Sequence, residues 1–363
     1  MVKTKAERII FDNELKPVQA YNIAKETGVE AIDRFQLILE IFARRASTVE
    51  AKLQIQLARL GYELARAKEK VRLAKMGEQP GFMGLGAYEV DVYYETIRRR
   101  IYSIQRKLRR IRKKRSLHRN RRLELGFSTI SLAGYTNSGK SSMFNTLAGE
   151  HVPVDTGLFT TLSTTTRAID LLGRKVMLID TVGFIDRLPL SLIEAFHSTL
   201  EETIFSDLIL LLVDISEPID EVERKLSCSL DTIQKIGATG IPIVTALNKI
   251  DLLTDEEVQE RLEALKGVAP NPVPVSALYG INIPRLKEEL YRHLKNYVRS
   301  SFWVPVNDES MSFLSWLFKR ANVQAVKFEG GQAYVAFESV PWFADKVMGR
   351  VERLGGTIEN WRA

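Results

Sequence analysis

Apolar positions recur along this chain at two different periods. From Leu53 through Leu57, Leu60, Leu64, Ala67, Val71 and Ala74 the intervals are mostly three and four. Ile97, Ile101, Ile104, Leu108 and Ile111 repeat the pattern. That period leaves one apolar stripe on each of two long helices. The glycine-rich GEQPGFMGLGA (77–87) between them is a joint, so the pair predicts an antiparallel helical hairpin with one coiled-coil-like seam. Ahead of it, ERIIFD (7–12), a Pro-started helix at 17–28, VEAIDRF (29–35) and QLILEIFARRA (36–46) predict a small α/β unit.

Beyond residue 126 the pattern changes to unbroken apolar runs separated by helical stretches. FSTISLA, RKVMLID, DLILLLVD, IPIVTALN and PVPVSAL alternate with helices from Gly139, through LIEAFHSTLEE, near DEVERKLSCSLDTIQKIG and after PVSAL. Strands without polar alternation are buried on both faces, which predicts a doubly wound, mainly parallel α/β sheet. SSFWVPV reads as a short linker, followed by helix, a Gly-Gly hairpin, helix and the strand TIENW, a small α+β domain. The expected boundaries are 1–46, 47–125, 126–297 and 298–363.

Composition narrows the class. The 363 residues are 45% hydrophobic and 27% charged, as in ordinary globular proteins of two or three domains. A single cysteine, Cys228, excludes an intramolecular disulfide and leaves no Cys-based zinc site. No apolar run has signal-peptide or membrane-span length, so a cytoplasmic protein is expected, monomeric in solution. Net charge is +7, yet residues 98–122 hold fourteen Lys or Arg and no acid, so the remainder is near −7. Like charges on one helix repel, and such a run suits a polyanion.

The chemistry lies in the doubly wound unit. GYTNSGKS (134–141) matches G-x-x-x-x-G-K-[ST] between a strand and a helix, the setting of a P-loop. Backbone N–H groups from Gly134 through Asn137, Ser138, Gly139 and Ser142 can surround phosphates. Lys140 adds positive charge there, and the Ser141 hydroxyl can ligate Mg²⁺. One strand on, DTVG supplies Asp180 for Mg²⁺ through water and the Gly183 N–H for a γ-phosphate. NKID (248–251) selects the base: the Asp251 carboxylate accepts from the two N–H donors of guanine and repels adenine. Asn248 braces the loop, the Lys249 stem covers the base, and Ser276, Ala277 and Leu278 lie behind it. Between P-loop and DTVG, GLFTTLSTTTRAID is where a switch threonine should sit; of several, Thr161 is favoured as the Mg²⁺ ligand, beside Phe159 and Thr160. Four elements in this order predict a P-loop GTPase binding GTP or GDP with Mg²⁺. Phe184 stands where many signalling GTPases place a water-orienting glutamine.

GYTNSGKSS, LFTTLSTTTR, DTVGFIDRLPLSLIEAFHSTLEET, NKID and VSAL, with the N-terminal FDNEL, AIDR, LILEIFARRA and KLQIQLARL, resemble the HflX family of translational GTPases over residues 8–295. The family carries G-x-x-G-x-R-G-P-G-E before its second long helix, where this chain has GEQPGFMGLGAYEVD. The resemblance implies binding to the large ribosomal subunit and its rRNA, through the basic helix 98–122 and the hairpin tip 77–87, and splitting or rescue of idle or stalled ribosomes. A hydrophobic residue at Phe184 is also a family trait. Because it cannot hold a water, it implies slow intrinsic hydrolysis stimulated by the ribosome. The alternatives are a GTPase of rRNA maturation or RNA modification, and a nucleotide-gated RNA-binding module.

Overall fold

The structure, a computed structural model, describes residues 6–75, 87–124, 127–149, 165–181, 183–185, 202–294 and 297–360. These fall into two compact units, divided at Lys114 and Arg115.

In the first unit, strand β1 (Arg8–Phe11), helix α1 (Pro17–Thr27) and strand β2 (Glu30–Asp33) form a parallel βαβ unit in register Arg8↔Glu30 to Phe11↔Asp33. Pro17 opens α1 and Gly28 closes it at φ 72°, a left-handed turn that glycine adopts without cost. Helix α2 (Arg34–Arg45) starts from Asp33, whose fully buried carboxylate accepts from the Gln36 N–H at 2.9 Å, the Leu15 N–H at 3.2 Å and the Tyr62 hydroxyl at 2.5 Å. Burial first, and the Asp33 hydrogen bond next, push the Tyr62 hydroxyl far above its ordinary pKa. Tyr62 belongs to helix α3 (Val49–Lys75), which this carboxylate ties to the small unit. Helix α4 (Ala87–Glu124) completes the hairpin. Leu60 and Ala67 of α3 pack with Ile97, Ile104 and Leu108 of α4, and Leu53, Leu57, Leu64 and Ile101 flank them, as the periodicity requires. The exposed face of α4 carries Arg98, Arg99, Arg100, Arg106, Lys107, Arg109, Arg110, Arg112, Lys113 and Lys114.

In the second unit a six-stranded sheet runs in the order β4-β5-β3-β6-β7-β8. Its strands are β3 (Ser128–Gly134), β4 (Thr165–Leu171), β5 (Arg174–Asp180), β6 (Leu208–Asp214), β7 (Ile243–Asn248) and β8 (Pro272–Pro274). All neighbours are parallel except β4 against β5. Every residue of β6 is buried, as its unbroken apolar run demands. Helices α5 (Lys140–Ala148), α6 (Ile219–Lys235), α7 (Asp255–Ala264) and α8 (Ile283–His293) belong to this domain. The edge strand β4 was hidden in sequence by its polar threonine run, which reads as loop; pairing with β5 supplies what side-chain burial does not. The expected helix through LIEAFHSTLEE falls almost wholly outside the described residues.

SSFWVPV is not a linker. It lies in strand β9 (Val298–Pro305), an interior strand of a sheet ordered β10-β11-β9-β12, with β10 (Asn322–Glu329), β11 (Gln332–Ser339) and β12 (Thr357–Asn360). Phe302 and Val304 point into the core and Trp303 to the other face, a period of two that the serine pair and terminal proline obscured. With helices α9 (Asp308–Phe318) and α10 (Pro341–Arg353) the topology is βαββαβ. The helices cover one sheet face, burying Phe302, Phe313, Phe337 and Phe343.

This small domain is fastened to the GTPase domain by Arg174. Its guanidinium donates to Glu338 at 2.7 and 3.2 Å and to the carbonyl oxygens of Tyr291 and Leu294, while lying over the Tyr291 and Tyr297 rings. Burial pulls the Glu338 pKa up, but the Arg174 hydrogen bonds and charge prevail and hold it below its ordinary value.

Candidate nucleotide site

The P-loop leaves β3 at Gly134, where φ is 142° and a Cβ would lie 2.3 Å from the Leu212 carbonyl oxygen. Only glycine fits that approach to β6. Asn137 then takes φ 64°, and Gly139, at φ 92°, would put a Cβ 2.2 Å from Asn248 Nδ2. Helix α5 follows, with Ser141 and Ser142 half-buried in its first turn.

Lys140 is buried and donates to the carbonyl oxygens of Gly134 at 3.1 Å and Tyr135 at 2.7 Å. Burial depresses its pKa to about 8, with Asp180 drawing it part of the way back. Asp180 ends β5 opposite Leu132 of β3. Gly183 reaches the same place: a Cβ there would meet Lys140 Nζ at 2.9 Å and Thr136 Cγ2 at 3.0 Å. The sheet thus brings the DTVG segment onto the P-loop lysine.

Phe184 is 3% exposed. Its N–H donates to Gly134 O at 3.0 Å, and its carbonyl accepts from the Thr136 N–H at 2.8 Å, extending the β5–β3 pairing past the strand end. The benzyl group is therefore packed inside the domain.

Asn248 is the knot on the base side. Its Nδ2 donates to Ser138 O at 2.8 Å, and its Oδ1 accepts from the Ala277 N–H at 2.9 Å. Thr146 of α5 donates to Ala277 O at 2.7 Å. P-loop, NKID loop and the Ser276–Ala277 turn are thereby held as one body. Lys249 stands at φ 70° with Nζ 2.5 Å from Asp214 Oδ2, and Asp214 Oδ1 accepts from Ser216 Oγ at 2.6 Å. Asp251 sits in the 3₁₀ turn Ile250–Leu252, half-buried, and its carboxylate has no protein partner among the described residues. Ser276 is buried and its Oγ accepts from the Tyr279 N–H, whereas Leu278 points to solvent. Phe159, Thr160 and Thr161 lie outside the described residues.

Thr146, Asp214 and Ser216 were not singled out from the sequence. Asp214 had a signal: it closes an apolar strand in register with Asn248. Thr146 had none, since its partner lies 131 residues away.

The donors present suit a magnesium nucleotide. Ser138 Oγ is buried without a partner among the described residues, and Gly134 and Gly139 leave room where any side chain would collide. Of the residues expected to hold a divalent cation, the Ser141 hydroxyl and the Asp180 carboxylate are described, and among the described residues no cluster of three His, Cys, Asp or Glu occurs. That set fits Mg²⁺, which keeps water and phosphate oxygens as most of its ligands. Among the described residues no helix is long and apolar enough to cross a membrane.

Comparison with known proteins agrees with this geometry. Residues 129–249 match the family described as 50S ribosome-binding GTPase, residues 45–122 the GTP-binding GTPase middle region, and residues 1–43 the GTP-binding GTPase N-terminal region. GTPase HflX of Methanocaldococcus jannaschii is 45% identical over 92% of this chain and 81% of its own length. GTPase HflX of Escherichia coli is 36% identical over 81% of this chain and 69% of its own. A solved GTP-binding protein from Sulfolobus solfataricus, in complex with GDP, is 31% identical, with 80% and 81% of the two chains covered and a TM-score of 0.47. With identity of this level across nearly its whole length, and a P-loop contacted by both Gly183 and Asn248, the chain belongs to the HflX family of GTPases and is a GTP-binding GTP hydrolase.

Proposed function

We propose that this GTPase associates with the large ribosomal subunit and acts in splitting or rescuing idle or stalled ribosomes, hydrolysing GTP slowly alone and rapidly when bound. The P-loop amides and Lys140 take the phosphates. Lys140 exchanges two carbonyl partners for phosphate oxygens, whose charge offsets the burial that disfavours the ammonium. Gly183, already against Lys140, offers its N–H to the γ-phosphate. Asp251 takes the guanine edge, with Lys249 alongside. Mg²⁺, which Ser141, Thr161 and water-linked Asp180 would hold, supplies charge neutralisation to the phosphates.

Phe184 carries the need for a partner. Its side chain is buried and its backbone locked to Gly134 and Thr136, so it presents no polar group to an attacking water. A partner that adds or orders the missing group is worth about 10³–10⁵ in rate. The partner suggested by the surface is RNA. Helix α4 exposes a cationic face from Arg98 to Lys114, the sequence holds no acid from 98 to 122, and phosphate contacts of this kind give salt-dependent, sequence-tolerant binding. The 50S ribosome-binding description of the matching family supports the large subunit. The hairpin tip at 77–87, offered as a second contact, lies outside the described residues.

Turnover of radiolabelled GTP, measured alone and with purified large or small subunits, tests this. Stimulation by the large subunit only is expected; equal turnover in all three would remove the ribosome from the account.

A further inference from the structure

The C-terminal sheet has two faces, and only one is covered by its helices. On the other face, Glu338 and Ser301 are buried, with Glu338 resting on Arg174 of the GTPase domain. The far half of that face is open. There Trp303 of β9 sits between Tyr334 of β11 and Thr357 of β12 in register, with the Trp303 and Tyr334 rings 5.1 Å apart. A concavity of about 590 Å³ opens over Trp303, lined by Glu329, Gln332, Thr357, Ile358 and Glu359 as well.

Its charge points to a ligand class. Glu329 has no hydrogen-bond or ion-pair partner among the described residues, and Glu359 accepts only from Ser301 Oγ, at 3.2 Å. Both carboxylates belong to the lining, which contains no cation among the described residues. Lys327 lies across Tyr334 from Trp303 and does not line the concavity. Two unneutralised carboxylates around an indole repel phosphate and attract a cation. A planar guanidinium meets both demands, stacking on the ring and donating in pairs to a carboxylate.

We propose that this face is a docking site for an arginine-bearing segment of a basic protein, with one guanidinium over Trp303 between Glu329 and Glu359. Single-stranded nucleic acid, the other ligand for which an aromatic pair on an open four-stranded sheet is suited, is disfavoured by the two carboxylates. The site stands apart from the nucleotide cleft and does not depend on how GTP is hydrolysed.

The test uses the full chain and two probes, a fluorescein-labelled decapeptide of alternating Gly and Arg and a labelled ten-nucleotide oligouridylate, read by anisotropy. The arginine peptide is expected to bind saturably. Glu329→Gln with Glu359→Gln should weaken it at least tenfold, and Glu256→Gln with Glu263→Gln, on exposed α7, should leave it unchanged. Trp303→Leu, with folding verified by its thermal transition, should weaken it comparably; should that variant not fold, the glutamate pair decides alone. Peptide binding indifferent to the Glu329/Glu359 pair would overturn the proposal. So would oligouridylate binding that is lost in Trp303→Leu.

Discussion

Replacing Asn248 with Ala removes one buried side chain and strands two backbone groups. Asn248 is 2% exposed, and its amide satisfies Ser138 O at 2.8 Å and the Ala277 N–H at 2.9 Å. Each buried group left unpaired costs about 1–3 kcal/mol, and local relaxation recovers part of that, so a net loss of about 2–4 kcal/mol is expected. The loss falls on the geometry of three loops at once, because these bonds are what join P-loop, NKID loop and Ser276–Ala277 turn. Guanine nucleotide affinity should therefore drop together with stability, by about 30- to 1,000-fold if the loops must be reordered on binding. Thr146→Val, which deletes the 2.7 Å bond to Ala277 O and a 3.0 Å bond to Ser142 O within α5 but leaves Asn248 in place, should cost about 1 kcal/mol and a correspondingly smaller loss of affinity. Titration of a fluorescent GDP analogue, with thermal unfolding of each variant alongside, measures both quantities. A folded Asn248→Ala variant that binds GDP within threefold of the parent would refute the reasoning.

Other outcomes follow from the same geometry. Lys140 has a folded pKa of about 8, below its unfolded value, so between pH 8 and 10.5 the unfolded chain binds more protons; this group makes the nucleotide-free protein more stable as pH rises through that window. Calorimetry of GTP binding at pH 8.5 in buffers of different ionisation enthalpy should show proton uptake that Lys140→Met abolishes. Arg174→Met leaves Glu338 buried and uncompensated, at a cost of about 3–5 kcal/mol, and adding Glu338→Leu should return most of it, as chemical denaturation would report. Because Phe184 acts through packing and its backbone, Phe184→Leu should keep basal and subunit-stimulated turnover within about threefold, the volume change being small; a loss beyond tenfold would give the ring a direct part in hydrolysis. Replacing Arg106, Arg109 and Arg110 with Gln should flatten the dependence of log Kd for the large subunit on log salt by about 2–3, in proportion to the phosphate contacts removed.

What the sequence displayed, and what it hid, follows from how far each feature reaches. The P-loop, DTVG and NKID were legible because each is a local backbone shape with few residue solutions: Gly134 and Gly139 tolerate no side chain, and Lys249 needs a left-handed turn. The hairpin seam was legible because helix period alone sets which of Leu60, Ala67, Ile97 and Ile104 face one another. Strands β4 and β9 were not, since their identity comes from partners: β4 borrows its hydrogen bonds from β5, and β9 is held between β11 and β12. Thr146 and Arg174 were silent for the same reason, each acting on residues more than a hundred positions away. Phe184 showed its anomaly in sequence, but only the fold shows the ring turned into the domain.

In the proposed function guanine is selected by Asp251, whose carboxylate has no protein partner among the described residues. Competition between GTP and ATP for the cleft loaded with a fluorescent GDP analogue tests it most directly. GTP should displace the analogue at a concentration at least about 10³-fold lower than ATP, in keeping with rejection of a base that leaves buried polar groups unpaired. Displacement by ATP at the same concentration as GTP would contradict it.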